Sequence, residues 1–438
     1  PELTTQQTLG LALRHHMAGR TSEAENLYRQ ILKTDPDQPD ALHLLGVLAS
    51  EMGNNGLAVD LITKALAIKP DNAEAHNNLG IAFEELGKLD EAIASYQKAI
   101  ATDPGFAEAE DNLGNAFKNL GMLENAVAAF QKALAIAPDF AEAHNNLGNA
   151  LNDLGRLEDA AASFQKALAI NPDYAEARHN LHGLLLDPDD MAPAIECLEK
   201  AVELNPDHMD FRFKLGVLLE YSGDAKTAEK HFEFVETGEN SDKAKLDAWR
   251  YLKSANETLP LMTGSNIQAF GLGMDAAPKD GLVIEFGVRF GTSIRQIAAL
   301  ADQDVHGFDS FEGLPEAWHN EPKGSYSTDG VKPSVPDNVT LHQGWFEDTL
   351  PDFVKNHQDP VRFMNVDCDI YSSTKTVLDL LSGQIIPGTV IVYDEYIGNE
   401  TWRDDEFKAF QEAVQKHGWK YDYLGFSFMT KQVVVRIK

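Results

Sequence analysis

The 438 residues carry 37 Lys and Arg against 69 Asp and Glu, a net charge of −32, with 43% hydrophobic and 24% charged side chains. This composition is globular and the length suits more than one domain, so wholesale disorder is excluded. Excess acid repels phosphate backbones and anionic headgroups, so no nucleic acid partner and no membrane insertion are expected.

Cys197 and Cys368 stand far apart, which leaves no disulfide framework and makes a reducing cytoplasm the expected compartment. The start, PELTTQQTLG, has neither a basic region nor an apolar core.

In chain order, the first half repeats. Pro36, Pro70, Pro104, Pro138, Pro172 and Pro206 follow one another at steps of 34 residues. Between them run near-identical units, such as AEAHNNLGIAFEELGKLDEAIASYQKAIATDPGF over 73–106. Leu-Gly at the seventh and eighth positions, a small residue at the twentieth and Pro near the end form the tetratricopeptide pattern. About seven such units predict an α-solenoid over 1–242, with degraded outer repeats as caps. Gly80, Gly114 and Gly148 fall where one helix must approach the next, and Ala92, Ala126 and Ala160 meet them from the other side.

At the sixth position of four successive repeats stand Asn78, Asn112, Asn146 and Asn180. Helical period places them on one face, toward the groove. A carboxamide both donates and accepts, so such a ladder suits the backbone of an extended polypeptide. Similar ladders line the superhelix of O-linked N-acetylglucosamine transferase, whose repeats these resemble. Self-association through the array and shared inheritance from one duplicated parent are the other readings of the same pattern.

Residues 243–279 read as a helical connector. From 280 to 438 the period changes to short apolar runs: LVIEF (282–286), VHGFD (305–309), VTLHQG (339–344), VRFMNVD (361–367) and TVIVYDE (389–395). A strand near Lys420–Leu424 and a last one, QVVVRI, complete a seven-stranded, mostly parallel α/β sheet. Ligands of such sheets sit beyond the carboxyl ends of the strands. There lie the turn EFGVRFGTS, with Gly287 and Gly291 free to turn tightly, and Asp309, placed to accept from ribose hydroxyls. Neither Gly-x-Gly-x-x-Gly nor Gly-Lys-Ser/Thr is present, which disfavours nicotinamide and P-loop ligands. Strand four ends Asp367-Cys368-Asp369 and strand five Asp394-Glu395, a carboxylate cluster suited to Mg²⁺; helix capping and metal-free acid/base work are the alternatives.

GLVIEFGVRFGTS, GFDSFEGLPE, FMNVDCDIYSSTKTVLDLL and PGTVIVYDEYIG, in this order, resemble the macrocin O-methyltransferase family. The likeness spans about 280–438 and implies a Rossmann-like class I methyltransferase domain that uses S-adenosyl-L-methionine and Mg²⁺ and self-associates as a homo-oligomer. It implies that the cofactor is held by Glu285, Phe286, Gly287, Val288, Gly291, Ser293, Asp309, Ser310 and Asp367. The Gly344-Trp345-Phe346 turn would lie near the adenine. Asp369, Asp394 and Glu395 would bind the metal, with Asp369 also taking the proton. The family's usual Asp-Asp is Asp394-Glu395 here, which sets the second carboxylate one methylene further out. The segment Glu312–Asp337 resembles a lid over the acceptor and carries Trp318, His319 and Tyr326.

Together these features lead us to expect an O-methyltransferase acting on a sugar or glycoconjugate hydroxyl, its acceptor or protein partner recruited by the repeats. A peptide or protein side-chain methyltransferase, and an interaction scaffold with an inactive domain, are the alternatives.

Overall fold

The computed structural model describes residues 3–438. Two compact units divide the chain, one ending at Ala150 and the other running Leu151–Lys438. The division falls inside the repeats rather than at their end.

In the first unit the helix pairs are α1 (Thr5–Met17) with α2 (Thr21–Thr34), α3 (Pro39–Glu51) with α4 (Asn55–Ile68), α5 (Ala73–Glu84) with α6 (Leu89–Thr102), and α7 (Ala107–Asn119) with α8 (Leu123–Ile136). Helix α9 (Ala141–Asp153) spans the division. The repeat glycines are where the helices touch. A Cβ on Gly80 would lie 2.5 Å from the Tyr96 ring, and one on Gly114 the same distance from Phe130, rings that are fully buried. Gly114→Ala is therefore expected to destabilise the array by about 2–3 kcal/mol through overpacking. An unchanged midpoint for the helical transition in urea would contradict this.

The second unit continues the repeats with α10 (Leu157–Ile170), α11 (Ala175–Leu184), α12 (Ala192–Leu204), α13 (Met209–Tyr221) and α14 (Ala225–Val235), capped by α15 (Asn240–Ala255). Leu246, Ala248, Trp249 and Leu252 of α15 are all buried, and the Trp249 indole donates to Glu220 at 2.7 Å. Their hydrophobic core is continuous with one face of the sheet, because Phe213, Phe232 and Trp249 belong to the same cluster as Phe286, Phe308 and Tyr393. That shared core is why the last repeats and the α/β domain form one unit.

The sheet holds β1 (Leu261–Met262), β2 (Leu282–Phe286), β3 (Val305–Asp309), β4 (Val339–Gln343), β5 (Val361–Val366), β6 (Val390–Tyr393), β7 (Tyr421–Phe426) and β8 (Val433–Ile437). Their order is β1-β7-β8-β6-β5-β2-β3-β4, with β8 antiparallel to both neighbours and the other pairs parallel. All seven expected strands are present. The eighth, β1, comes from the connector; at two residues it is too short to leave an apolar run in the sequence. Helices α16 (Asn266–Ala276) and α17 (Thr292–Leu300) cover one face, through Phe270 and Ile294. The other face is covered by α18 (Phe346–Asn356), α19 (Tyr371–Leu380) and α20 (Glu406–His417), through Phe353, Val377 and Phe410.

Candidate active site

A cavity of about 660 Å³ opens at the carboxyl ends of β2, β3, β5 and β6. That is the size range of small-molecule sites. Its floor is set by Gly287, whose φ of +87° turns the chain out of β2. A Cβ there would stand 1.8 Å from the Asp367 carbonyl oxygen. Backbone bonds fix the approach: Gly287 N–H donates to the Phe308 oxygen and Asp367 N–H to the Phe286 oxygen, each at 2.9 Å. A backbone drawn in this closely leaves room for a ligand against it.

Asp309 organises the turn as well as lining the cavity. Its Oδ2 accepts the Val288 and Arg289 N–H groups at 2.8 and 2.7 Å, and its Oδ1 the Phe311 N–H at 2.6 Å. Ser310, Gly344, Trp345, Phe346, Asp367, Asp369, Asp394 and Glu395 line the same cavity. Phe346 packs edge-on against Phe286, 5.4 Å between centroids.

Other sequence-derived candidates lie beneath the lining. Glu285, Phe286 and Val288 are buried and do not reach the cavity, and neither do Gly291 and Ser293. The cause is the central position of β2, both of whose faces are covered, so that only the backbone of the turn after it meets the opening. Glu285 instead accepts from Asn365 at 2.9 Å. Burial pushes its carboxyl up to about 8, so it braces β2 against β5 as a neutral acid at pH 7.

Strand β5 ends at Val366, and Asp369 has φ +60°, so the alternation expected to align Asp367 with Asp369 has already broken. The turn nevertheless brings both to the cavity. Burial, reinforced by Glu395, raises Asp369 to about 6 and Asp394 to about 7. Asp367 is raised well above the usual carboxylate range, by burial and then by Asp394 and Asp369. The buried Glu406, at the start of α20, accepts backbone N–H groups from Cys368 at 3.4 Å and Glu395 at 3.3 Å.

These acids are the right chemistry for a hard cation, but their arrangement does not fit one. Both Glu395 oxygens face the Lys431 ammonium at 3.0 Å, and Asp394 Oδ1 accepts from Gln432 at 2.7 Å. Among the described residues no group of three or more His, Cys, Asp or Glu side chains is placed to hold a metal ion. Magnesium ligation by Asp369, Asp394 and Glu395 thus stays an expectation of the resemblance.

The segment after β3 folds over the opening. Leu314 and Ser325 are joined by an N–H···O bond of 2.8 Å, and Ser372 of α19 donates to Glu316 at 2.6 Å. Trp318 and Tyr326 line the cavity, with the Arg289 guanidinium 4.8 Å from the Tyr326 ring centroid. His319 turns away, to the Thr401 hydroxyl at 3.1 Å.

Lys431, Gln432, Glu406 and Arg289 escape sequence reasoning. Gln432 and Lys431 bond partners 38 and 36 residues away, and the antiparallel pairing that unites them is visible only in the sheet order.

The asparagine ladder is first a clasp between repeats. Asn78 lies 2.9 Å from the His43 ring, Asn112 donates to Asn77 at 3.0 Å, and Asn146 donates to both Asp111 oxygens at 3.2 and 3.0 Å. Each bond runs from the sixth position of one repeat to the fifth of the repeat before. In the second unit Lys214 takes the same place, 2.9 Å from the His179 ring. Asn180 Oδ1 lies 3.4 Å from the other His179 nitrogen.

Burial pushes Asp111 from 3.8 up to about 7. A raised carboxyl contributes stability below its unfolded pKa and loses it as pH rises toward 7. Asp111→Asn, which installs the residue found at Asn77 and Asn145, is expected to stabilise the array by about 2–3 kcal/mol more at pH 8 than at pH 5. Thermal unfolding at the two pH values tests this; equal shifts at both would contradict it.

The comparisons agree with the two architectures. Residues 284–396 match a family model described as a methyltransferase domain. Residues 15–77, 73–106, 141–174 and 184–208 match tetratricopeptide repeat models, and 114–155 a TPR repeat model. The chain therefore joins a tetratricopeptide-repeat solenoid to a methyltransferase domain. Among solved structures, MamA is 27% identical over 39% of this chain and 94% of its own, with a TM-score of 0.35. A thermophilic TPR protein of Thermus thermophilus is 26% identical over 42% and 100%, with a TM-score of 0.37. The PilF protein of Pseudomonas aeruginosa is 22% identical over 50% and 97%, with a TM-score of 0.44. Comparison with curated proteins gave no match. No helix among the described residues is long and apolar enough to cross a membrane.

Proposed function

We propose that the protein is an S-adenosylmethionine-dependent O-methyltransferase of the macrocin type, acting on a sugar or glycoconjugate hydroxyl, with its acceptor or the acceptor's carrier recruited by the repeats. The observation that carries this reading is the meeting of the Gly287 turn, Asp309 and the Asp369–Asp394 pair around one cavity inside a methyltransferase domain. When bound, S-adenosylmethionine supplies an electrophilic methyl on a cationic sulfonium and leaves as a neutral thioether.

The chain's own residues supply the rest. Gly287, Ser310 and the Trp345–Phe346 wall receive the cofactor, and the acidic lining favours its positive charge. Asp369 takes the proton of the acceptor hydroxyl as the new C–O bond forms and the C–S bond breaks, then releases it to solvent. A carboxyl near 6 suits that task, since a base works best with a pKa close to ambient pH. Trp318 and Tyr326 offer flat faces for a sugar ring, and Ser372, Ser373 and Thr376 offer hydroxyls for its substituents.

The test is transfer of labelled methyl from S-adenosylmethionine into cell extract by the full-length protein, with protein, polysaccharide and small-molecule fractions counted separately. Label in saccharide supports the proposal. Label confined to protein favours side-chain methylation, and no label despite cofactor binding favours a scaffold.

A further inference from the structure

The carboxylates at the end of β6 are held by the turn that joins β7 to β8. That turn is closed by Ser427 N–H donating to the Gln432 oxygen at 2.8 Å. Lys431 adopts φ +58°, a conformation that a residue bearing a side chain keeps only where its surroundings impose it. Three contacts impose it here. Its carbonyl accepts the Ile397 N–H at 3.3 Å, and a Cβ on Gly398 would stand 3.4 Å from its Cγ, so the stem runs across Gly398. At the end of that stem Nζ lies 3.0 Å from both Glu395 oxygens. The next residue, Gln432, is fully buried; its Nε2 donates to Asp394 at 2.7 Å and its Oε1 accepts from Thr430 at 3.0 Å. The same turn reaches the last repeats, with Phe428 edge-on to Phe213 at 4.8 Å.

We propose that Lys431 is the fixed counter-charge of the Asp369–Asp394–Glu395 cluster, serving where the resemblance implied a divalent cation, and that Gln432 is a positioning residue for Asp394. The ammonium neutralises Glu395 and removes it from any ligand set. Of the cluster, Asp369 and Asp394 then remain, Asp394 aimed by the Gln432 amide. Transfer accordingly proceeds without added metal. The activity arm of this inference rests on the methyl-transfer reading; the metal arm does not.

Mn²⁺ is the probe, titrated into the full-length protein and followed by electron paramagnetic resonance, with S-adenosylmethionine binding measured in parallel by calorimetry. Wild type is expected to show no stoichiometric Mn²⁺ site. Lys431→Met is expected to bind Mn²⁺ about tenfold more tightly or better, because a fixed positive charge has gone from beside the acids. Asp394→Asn in that background should remove the gain, and Lys431→Arg should keep the site closed. One tight Mn²⁺ on wild type that Asp394→Asn abolishes overturns the proposal. So does a Lys431→Met protein that keeps its cofactor affinity yet gains no Mn²⁺. Should Lys431→Met fail to fold, the wild-type titration and Lys431→Arg decide the matter. A wild type that binds no S-adenosylmethionine would instead overturn the methyl-transfer reading and leave the Mn²⁺ result standing.

Discussion

Gly287→Ala is expected to abolish binding of S-adenosylmethionine while leaving the repeats folded. The backbone at 287 has φ +87°, where alanine is strained, and its Cβ would lie 1.8 Å from the Asp367 carbonyl oxygen. Neither atom can yield cheaply, because both strands are bonded across the contact, Gly287 to Phe308 and Asp367 to Phe286. The ends of β2 and β5 would have to part, carrying the cavity floor with them. A displacement costing about 3 kcal/mol corresponds to roughly a hundredfold in affinity, and the contact is tight enough for more. Calorimetric titration of the full-length variant measures the loss, with circular dichroism as the check on helix content. Wild-type affinity in Gly287→Ala would mean that the turn is not the cofactor's seat.

Asp369→Asn should show the opposite separation, with transfer lost and cofactor binding kept. Asparagine tolerates the left-handed backbone that Asp369 adopts at φ +60°, so the turn survives the substitution. What disappears is a base. A positioned general base contributes about a hundredfold to ten-thousandfold, and transfer by the variant should fall within that range. Single-turnover transfer at saturating cofactor, compared with the calorimetric affinity, makes the measurement. A variant that transfers at the wild-type rate would remove Asp369 from the chemistry.

Much of this architecture can be read from the residues because it rests on short-range physics. The 34-residue step reports helix pairs whose close contacts demand Gly80 and Gly114, and each apolar run of the second half became a strand. Carboxylates at strand ends were traceable for the same reason, since a parallel sheet delivers its strand ends to one edge. Orientation was harder. Glu285 sits in a motif that points to the cofactor, yet burial between two helical layers turns it inward to Asn365. Period alone places the asparagines at 78, 112 and 146 on one face; that their amide nitrogens bond to the preceding repeat depends on how repeats stack. Lys431 and Gln432 are legible only once β8 is seen to lie between β6 and β7.

The central claim is that this cavity moves a methyl group from sulfur to a hydroxyl oxygen of a saccharide. The most direct measurement is the chemistry of the product: hydrolysis of the labelled material and mass-spectrometric location of the methyl group. An O-methyl sugar, formed by wild type and absent with Asp369→Asn, is the result expected. A methylated amino acid side chain as the sole labelled product would contradict the claim.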